Sequence, residues 1–251
     1  MKPIRDQIIL VTGATSGIGQ QLAIDLSHDN QVYIASRSEE KLQSLIEKQP
    51  TIKGYFVLDI ANKKQVLDCC HLMREKLQYI DLAVLNAGTC EYVDIDALDS
   101  RLFERVMNTN FMGTVYCVEG LLPLLRQSQS AQLSLMSSSA VFFPFTRAQA
   151  YGASKAAIDY LGKSLRVDLS NDEIHVSLIH PGFVKTPLTD RNDFDMPMMV
   201  DAETASQSII RGLQNRKFDI HFPRTFTYLL KFMGILPQSL QLKISKKMVK
   251  Q

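Results

Sequence analysis

VTGATSGIGQQLA, residues Val11–Ala23, is the stretch on which the fold turns. A short β-branched run, Ile8–Thr12, stops at a glycine, and a helical pattern starts near Ile18 and continues to Ser27. Gly13, Gly17 and Gly19 therefore sit in a strand-to-helix turn. Without Cβ atoms, backbone N–H groups there can approach a pyrophosphate, and the helix N-terminus adds partial positive charge. The spacing is GxxxGxG and not the GxGxxG of the common dinucleotide fingerprint. Alone, it also fits a tight turn whose glycines serve geometry only.

Outward from that turn the alternation repeats. Val32–Ala35, Tyr55–Leu58, Leu82–Leu85, Leu133–Met136 and Ile174–Ile179 read as buried strands. Glu39–Lys48, Lys63–Gln78, Arg101–Gln127 and Tyr151–Ser170 read as helices. Such alternation predicts an α/β fold with a doubly wound parallel sheet covered on both faces, and such sheets bind ligands outside the carboxyl ends of their strands. At 251 residues the chain is long enough for one such domain with a large core. The reading assigns residues 1–222 to it and residues 223–251 to a basic amphipathic C-terminal extension.

Bulk properties narrow the function. Hydrophobic content of 45% and charged content of 22% are ordinary for a soluble globular chain, and a net charge of +2 gives no reason to expect nucleic-acid binding. Residues 220–251 nevertheless hold six Lys/Arg and no Asp or Glu. Cys69, Cys70, Cys90 and Cys117 show no metal-ligand spacing and read as reduced core thiols. The N-terminal apolar stretch is too short for a signal peptide, and no run approaches the roughly 20 apolar residues of a membrane span, so a cytoplasmic setting is expected.

YGASK, residues 151–155, carries the chemistry. Residues four apart share a helix face, which brings the Lys155 ammonium toward the Tyr151 phenol. Free tyrosine titrates near pH 10. A cation about 4 Å away at an effective dielectric of about 20 contributes on the order of 4 kcal/mol, or about 3 pK units. That shift would bring Tyr151 close to neutrality as a general acid or base. Gly152, Ala153 and Ser154 between them are small enough for a flat ring to lie against the helix.

Five ordered motifs together resemble the classical short-chain dehydrogenase/reductase family: Thr12-Gly13-x-x-x-Gly17-Ile18-Gly19, Asn86-Ala87-Gly88, Asn110 in NTNFMGT, Ser138 in SLMSSSA, and Tyr151-x-x-x-Lys155. Pro181-Gly182 followed by Thr186 also fits, and the resemblance spans roughly residues 5–220. It implies a Rossmann-like sheet and reversible hydride transfer between a nicotinamide and a carbonyl or secondary alcohol. By the same resemblance Tyr151 is the acid/base and Lys155 also binds the nicotinamide ribose. Ser138 polarises the substrate oxygen, and Asn110 anchors a water linked to Lys155 through its carbonyl. Thr15, Ser16 and Ile18 join the glycines in binding the cofactor. Asp59 meets the adenine amino group or, read from the residues alone, caps the next helix. Ile60 and Val184 are also cofactor-binding, Asn86, Ala87 and Gly88 border the cofactor, and Thr186, after the turn made by Pro181 and Gly182, holds the nicotinamide carboxamide. Leu85 departs from the family's usual asparagine, and Ala140-Val141 stands where Ala-Gly is frequent, which narrows the substrate side.

The end of the second strand, Ala35-Ser36-Arg37-Ser38, lacks the acidic residue that normally binds a ribose 2′-hydroxyl. Arg37 can grip a 2′-phosphate and Ser36 or Ser38 can donate to it, so NADP(H) is the expected cofactor. No metal is expected. His180 reads as a packing or cofactor-wall residue, and His28, His71, His175 and His221 as solvated. Phe142, Phe143, Phe145, Phe194, Met196, Met198 and Met199 form either an adaptable apolar pocket or ordinary core and lid packing. Residues 187–200 read as a mobile lid. The tail, with Leu229, Leu230, Phe232, Ile235 and Leu236 among lysines, is either a helix packed on the domain, a dimer contact or a peripheral membrane contact. The long helices resemble the family's dimer-forming pair, implying a homodimer or homotetramer. The competing function is a non-catalytic NADPH sensor or partner-binding module on the same fold. An epimerase or dehydratase of the extended branch fits poorly, because the glycine spacing differs.

Overall fold

The computed structural model describes residues 3–246; the last five residues of the basic tail, 247–251, lie outside the described part. Seven strands form one parallel sheet in the order β3-β2-β1-β4-β5-β6-β7. They are β1 Ile8–Thr12, β2 Gln31–Ser36, β3 Gly54–Val57, β4 Leu82–Leu85, β5 Gln132–Met136, β6 His175–Pro181 and β7 Asp219–Phe222. The helices are α1 Gly17–Ser27, α2 Glu39–Lys48, α3 Lys63–Leu77, α4 Ser100–Met107, α5 Gly113–Leu125, α6 Gln149–Asp168, α7 Ala202–Gln214, α8 Arg224–Gly234 and α9 Gln238–Lys246.

Alternation along β1 sets the two layers. Ile9 and Val11 face α1, α2 and α7 through Leu22, Leu42, Ile209 and Leu213, whereas Leu10 faces α3, α5 and α6 through Val66, Met73, Leu121 and Ile158. Both faces are covered, so the strands read as continuous apolar runs, and each fully buried Ile, Leu or Val contributes about 1.5–3 kcal/mol. Strand order reverses between β1 and β4. That reversal opens a crevice at the carboxyl edge, directly beside the glycine turn.

Two features differ from the sequence expectation, and a third, the packing of α8 on the domain, is one of the roles expected for the tail. The segment 101–127 is not one helix: α4 and α5 are joined by a π-helical turn, Asn108–Met112, in which the Gly113 N–H donates to the Asn108 carbonyl. The α7–β7 unit extends the sheet by a parallel strand. α8 buries Phe226, Thr227 and Leu230, packing its rings on Phe143.

Candidate active site

The expected site residues lie at the carboxyl ends of the strands, in the loops that follow them, at the start of α1 and in the first turns of α6, except Asn110, which sits in the π-helical turn between α4 and α5. Gly13 and Gly17 both have positive φ, +67° and +56°. A Cβ on Gly13 would stand 2.7 Å from Ala87 Cα, and one on Gly17 would stand 2.9 Å from Thr186 Cγ2, so the turns after β1, β4 and β6 close on one another. The Thr12 hydroxyl accepts from the N–H groups of both Asn86 and Ala87, while Asn86 Nδ2 donates to the Thr12 and Gly13 carbonyls at 3.0 and 3.2 Å. Ser16, at the N-cap of α1, is exposed and makes no capping bond, and α1 has no acid in its first turn. An uncapped helix start above a cradle too tight for a Cβ fits a dinucleotide pyrophosphate.

The adenosine side is open. Arg37 is exposed, with no ion pair among the described residues. Ser36 Oγ lies 3.1 Å from Thr15 Oγ1, and Ser38 accepts from the Lys41 N–H as the α2 cap. Asp59 Oδ1 accepts from the Ala61 N–H, and Asn62 caps α3, so Asp59 is not the helix cap. Ile60 is buried against Gly113. Val184 is buried and bridges Val200, and Thr186 bonds to Thr189. The Gly182 N–H, just past Pro181, donates to the Phe222 carbonyl.

Around Tyr151 the candidates converge. A side-chain hydrogen bond joins its phenol to Ser138, whose Oγ also accepts from the Ala140 N–H at 3.1 Å. Ser137 instead donates to the Lys155 carbonyl, so of these two serines it is Ser138 that meets the phenol. Lys155 Nζ donates to the Met136 carbonyl at 2.7 Å and lies 5.7 Å from the Tyr151 ring centre. Asn110 is fully buried in the π-helical turn: its Oδ1 accepts from Thr89 N–H at 2.7 Å, and its Nδ2 donates to the Thr89 carbonyl and to Ser154 Oγ. Ser154 in turn donates to the Tyr151 carbonyl, so it faces Asn110 and only Gly152 and Ala153 remain on the open side. A Cβ on Gly152 would meet nothing within 4 Å.

The expected pKa tuning is not what this geometry produces. Burial pushes the Tyr151 phenol well above the ordinary tyrosine value, the neighbouring Cys90 adds to the rise, and the Ser138 bond only partly offsets it. Burial also lowers Lys155 to about 8. The ammonium donates to the Met136 carbonyl, and desolvation of the phenol wins over attraction. At neutral pH the phenol is a protonated donor and Lys155 remains mostly charged.

Cys90 and Tyr92 were not singled out from sequence for this site, yet both adjoin Tyr151 and hydrogen-bond to each other. Their place just after Gly88, beyond the end of β4, was the available signal. Within residues 187–200, Asn192 accepts from Tyr92 Oη at 2.8 Å, Asp193 pairs with Arg147, and Phe194 packs edge-on to Tyr92 and Phe183. Met198 and Met199 are exposed, and Phe143 is core. Phe142 lies against His180, 4.8 Å between ring centres. His180 is no cofactor wall: it is buried, with Nε2 2.6 Å from Asp159 and Nδ1 2.9 Å from Asp219, which also holds Lys231 at 2.5 Å. His175 and His221 are half-buried, not solvated.

The sequence profile of the family described as short chain dehydrogenase matches residues 7–196. An uncharacterized oxidoreductase of Myxococcus xanthus is 30% identical over 236 residues, covering 92% of this chain and 93% of its own. A short chain dehydrogenase/reductase from Burkholderia phymatum, solved in complex with NAD, superposes with a TM-score of 0.85 at 20% identity over 97% of both chains. L-Sorbose reductase from Gluconobacter frateurii, complexed with NADPH and L-sorbose, gives 0.76 at 22% identity over 87% of this chain and 95% of its own. At these identities the two structures speak to fold alone.

Proposed function

Since the chain belongs to the short chain dehydrogenase family, oxidoreductases with a nicotinamide-dinucleotide fold, we propose that it reduces a carbonyl group of an apolar small molecule with NADP(H) and Tyr151 as proton donor. The observation that carries the reading is the meeting of Ser138, Tyr151 and Lys155 at the carboxyl edge, beside the uncapped start of α1. When bound, the reduced nicotinamide supplies the hydride. Tyr151, held protonated by burial, gives its proton to the substrate oxygen. The Ser138 hydroxyl hydrogen-bonds that oxygen as negative charge develops on it. Lys155 keeps N–H donors beyond the one on Met136 for ribose hydroxyls, and its charge favours the phenolate left after transfer. Asn110 acts at one remove, by fixing Thr89 and Ser154 under the Tyr151 turn. The apolar character of the substrate is supported by Cys90 and Tyr92 beside the phenol and by Phe194, which packs on Tyr92. NADP preference is supported by the unpaired, exposed Arg37 at the end of β2, where no carboxylate opposes a phosphate.

A homodimer or homotetramer through α6 is supported by the exposed Tyr160 and Val167, and a reducing cytoplasmic setting by four free cysteines. The test is turnover of a panel of ketones and aldehydes with NADPH. Tyr151→Phe is expected to lower kcat by about 10²–10⁴-fold while NADPH still binds, the usual scale for loss of a general acid. Undiminished turnover in the variant would defeat the mechanism. Wild type and variant equally inert over the whole panel, both binding NADPH, would instead favour the sensor reading.

A further inference from the structure

α8 is apolar on two sides. Its inner face, Phe226, Thr227 and Leu230, is buried, while Tyr228, Leu229, Phe232 and the following Ile235 point outward, Phe232 60% and Ile235 80% exposed. Leu240 and Leu242 on α9, a helix with no buried residue, are exposed as well. Six of the sixteen exposed large apolar side chains among the described residues thus fall between 228 and 242. A cluster of that kind marks a surface that another phase or partner covers.

Charge selects the occupant. From residue 220 onward the chain has six Lys/Arg and no acid. Arg224, Lys243 and Lys246 on the same two helices are exposed, and Lys231 is tied down on Asp219. A second copy docked face to face would set these cations against themselves with no carboxylate from the same segment to compensate. Apolar side chains flanked by lysines match the boundary of a bilayer with anionic headgroups, where the side chains enter the acyl edge and the lysines meet the phosphates.

We infer that α8 and α9 form a docking surface for an anionic lipid bilayer. The surface lies close to the candidate active site: Gly234, at the end of α8, is packed so closely on the Phe142 carbonyl that no Cβ would fit, and Phe142 belongs to the loop after Ser138. Phe226 of the same helix packs on Phe183, which touches Phe194. The inference does not depend on the reductase reading, because binding to vesicles is measured without turnover.

The experiment is co-sedimentation of the full chain with phosphatidylcholine vesicles and with vesicles containing about 30% phosphatidylglycerol, at low and high salt. Pelleting is expected only with the anionic vesicles and is expected to fall as salt rises. The double variant Phe232→Ser/Ile235→Ser should lose roughly tenfold or more in partitioning. Lys243→Gln and Lys246→Gln should each lose roughly fivefold. Both apolar targets are exposed, and an unchanged unfolding midpoint checks that the variants fold. Absence of pelleting with anionic vesicles overturns the inference, as does equal pelleting of wild type and the double variant. A concentration-dependent dimer, seen by gel filtration and abolished in the double variant, would assign the face to a second copy and overturn it equally.

Discussion

Asp159→Asn tests whether the buried His180 carries charge in the folded protein. Asp159, on α6, and Asp219, at the start of β7, grip opposite nitrogens of a ring whose side chain is 4% exposed. Burial alone would lower the imidazole pKa, but hydrogen bonds to the two carboxylates outweigh it and hold His180 above its usual value. The Asp159 bond is short, 2.6 Å, and its carboxylate is 11% exposed, so screening by water is slight. A hydrogen bond to a charged group under such conditions contributes about 1.5–3 kcal/mol, and the surviving Asp219 contact points to the lower half of that range. A group whose folded pKa is raised contributes fully below its unfolded value, near 6.5, and loses that contribution as pH rises through the folded value. Both carboxylates are held below their usual range, so their own contributions fade only in acid, below about pH 4. Urea unfolding of wild type and variant at about pH 5.5, 7 and 8.5 therefore isolates the histidine. The stability gap is expected to be widest at the lowest of the three and to narrow upward. A gap constant with pH, or one that widens toward alkali, would refute the assignment of a charged His180.

Other outcomes follow from particular contacts. Gly19→Ala puts a Cβ 2.5 Å from the Gly13 carbonyl and closer still to the Asn86 amide, so about 1–3 kcal/mol of stability should be lost, seen as a thermal midpoint lower by at least about 2 °C. An unchanged midpoint would mean the glycine turn is looser than described. Asn110→Ala strands Thr89 N–H, the Thr89 carbonyl and Ser154, and should cost at least about 2 kcal/mol in chemical denaturation, with faster amide exchange at Thr89. Arg37→Ala should weaken NADPH binding roughly 10- to 150-fold by titration calorimetry and leave NADH binding unchanged; parallel losses for both would remove the 2′-phosphate role.

The layout of the sheet was legible because each core strand is a short apolar run cut off by Gly, Asn or Ser, as Ile8–Thr12 is by Gly13. β7 escaped notice since Asp219-Ile220-His221-Phe222 alternates over only four residues and carries two polar groups that pair within the protein. The break between α4 and α5 left no trace in composition, because a π-helical turn is built from residues as helical in pattern as their neighbours. Spacing placed Tyr151 and Lys155 on one helix face but said nothing of Met136, 19 positions away, whose carbonyl takes the ammonium. Nor did it register the burial that governs the phenol. His180 shows the same limit: its partners lie 21 and 39 residues distant, and only the packed fold puts them on one ring.

The π-helical turn Asn108–Met112 ties the site to the interior in a further way. One additional residue within a helical ladder swings everything downstream by about 100°. The phase of α5 is thereby set so that Cys117, Leu121 and Leu125 enter the layer shared with α3, while Val106 of α4 keeps its place against Ala150 of α6. Mending the ladder by deleting a residue would turn those side chains out to water. The same irregularity that seats Asn110 beneath Tyr151 is therefore locked by the packing of an entire helical layer, and a lineage could regularise this backbone only by rebuilding that layer along with it.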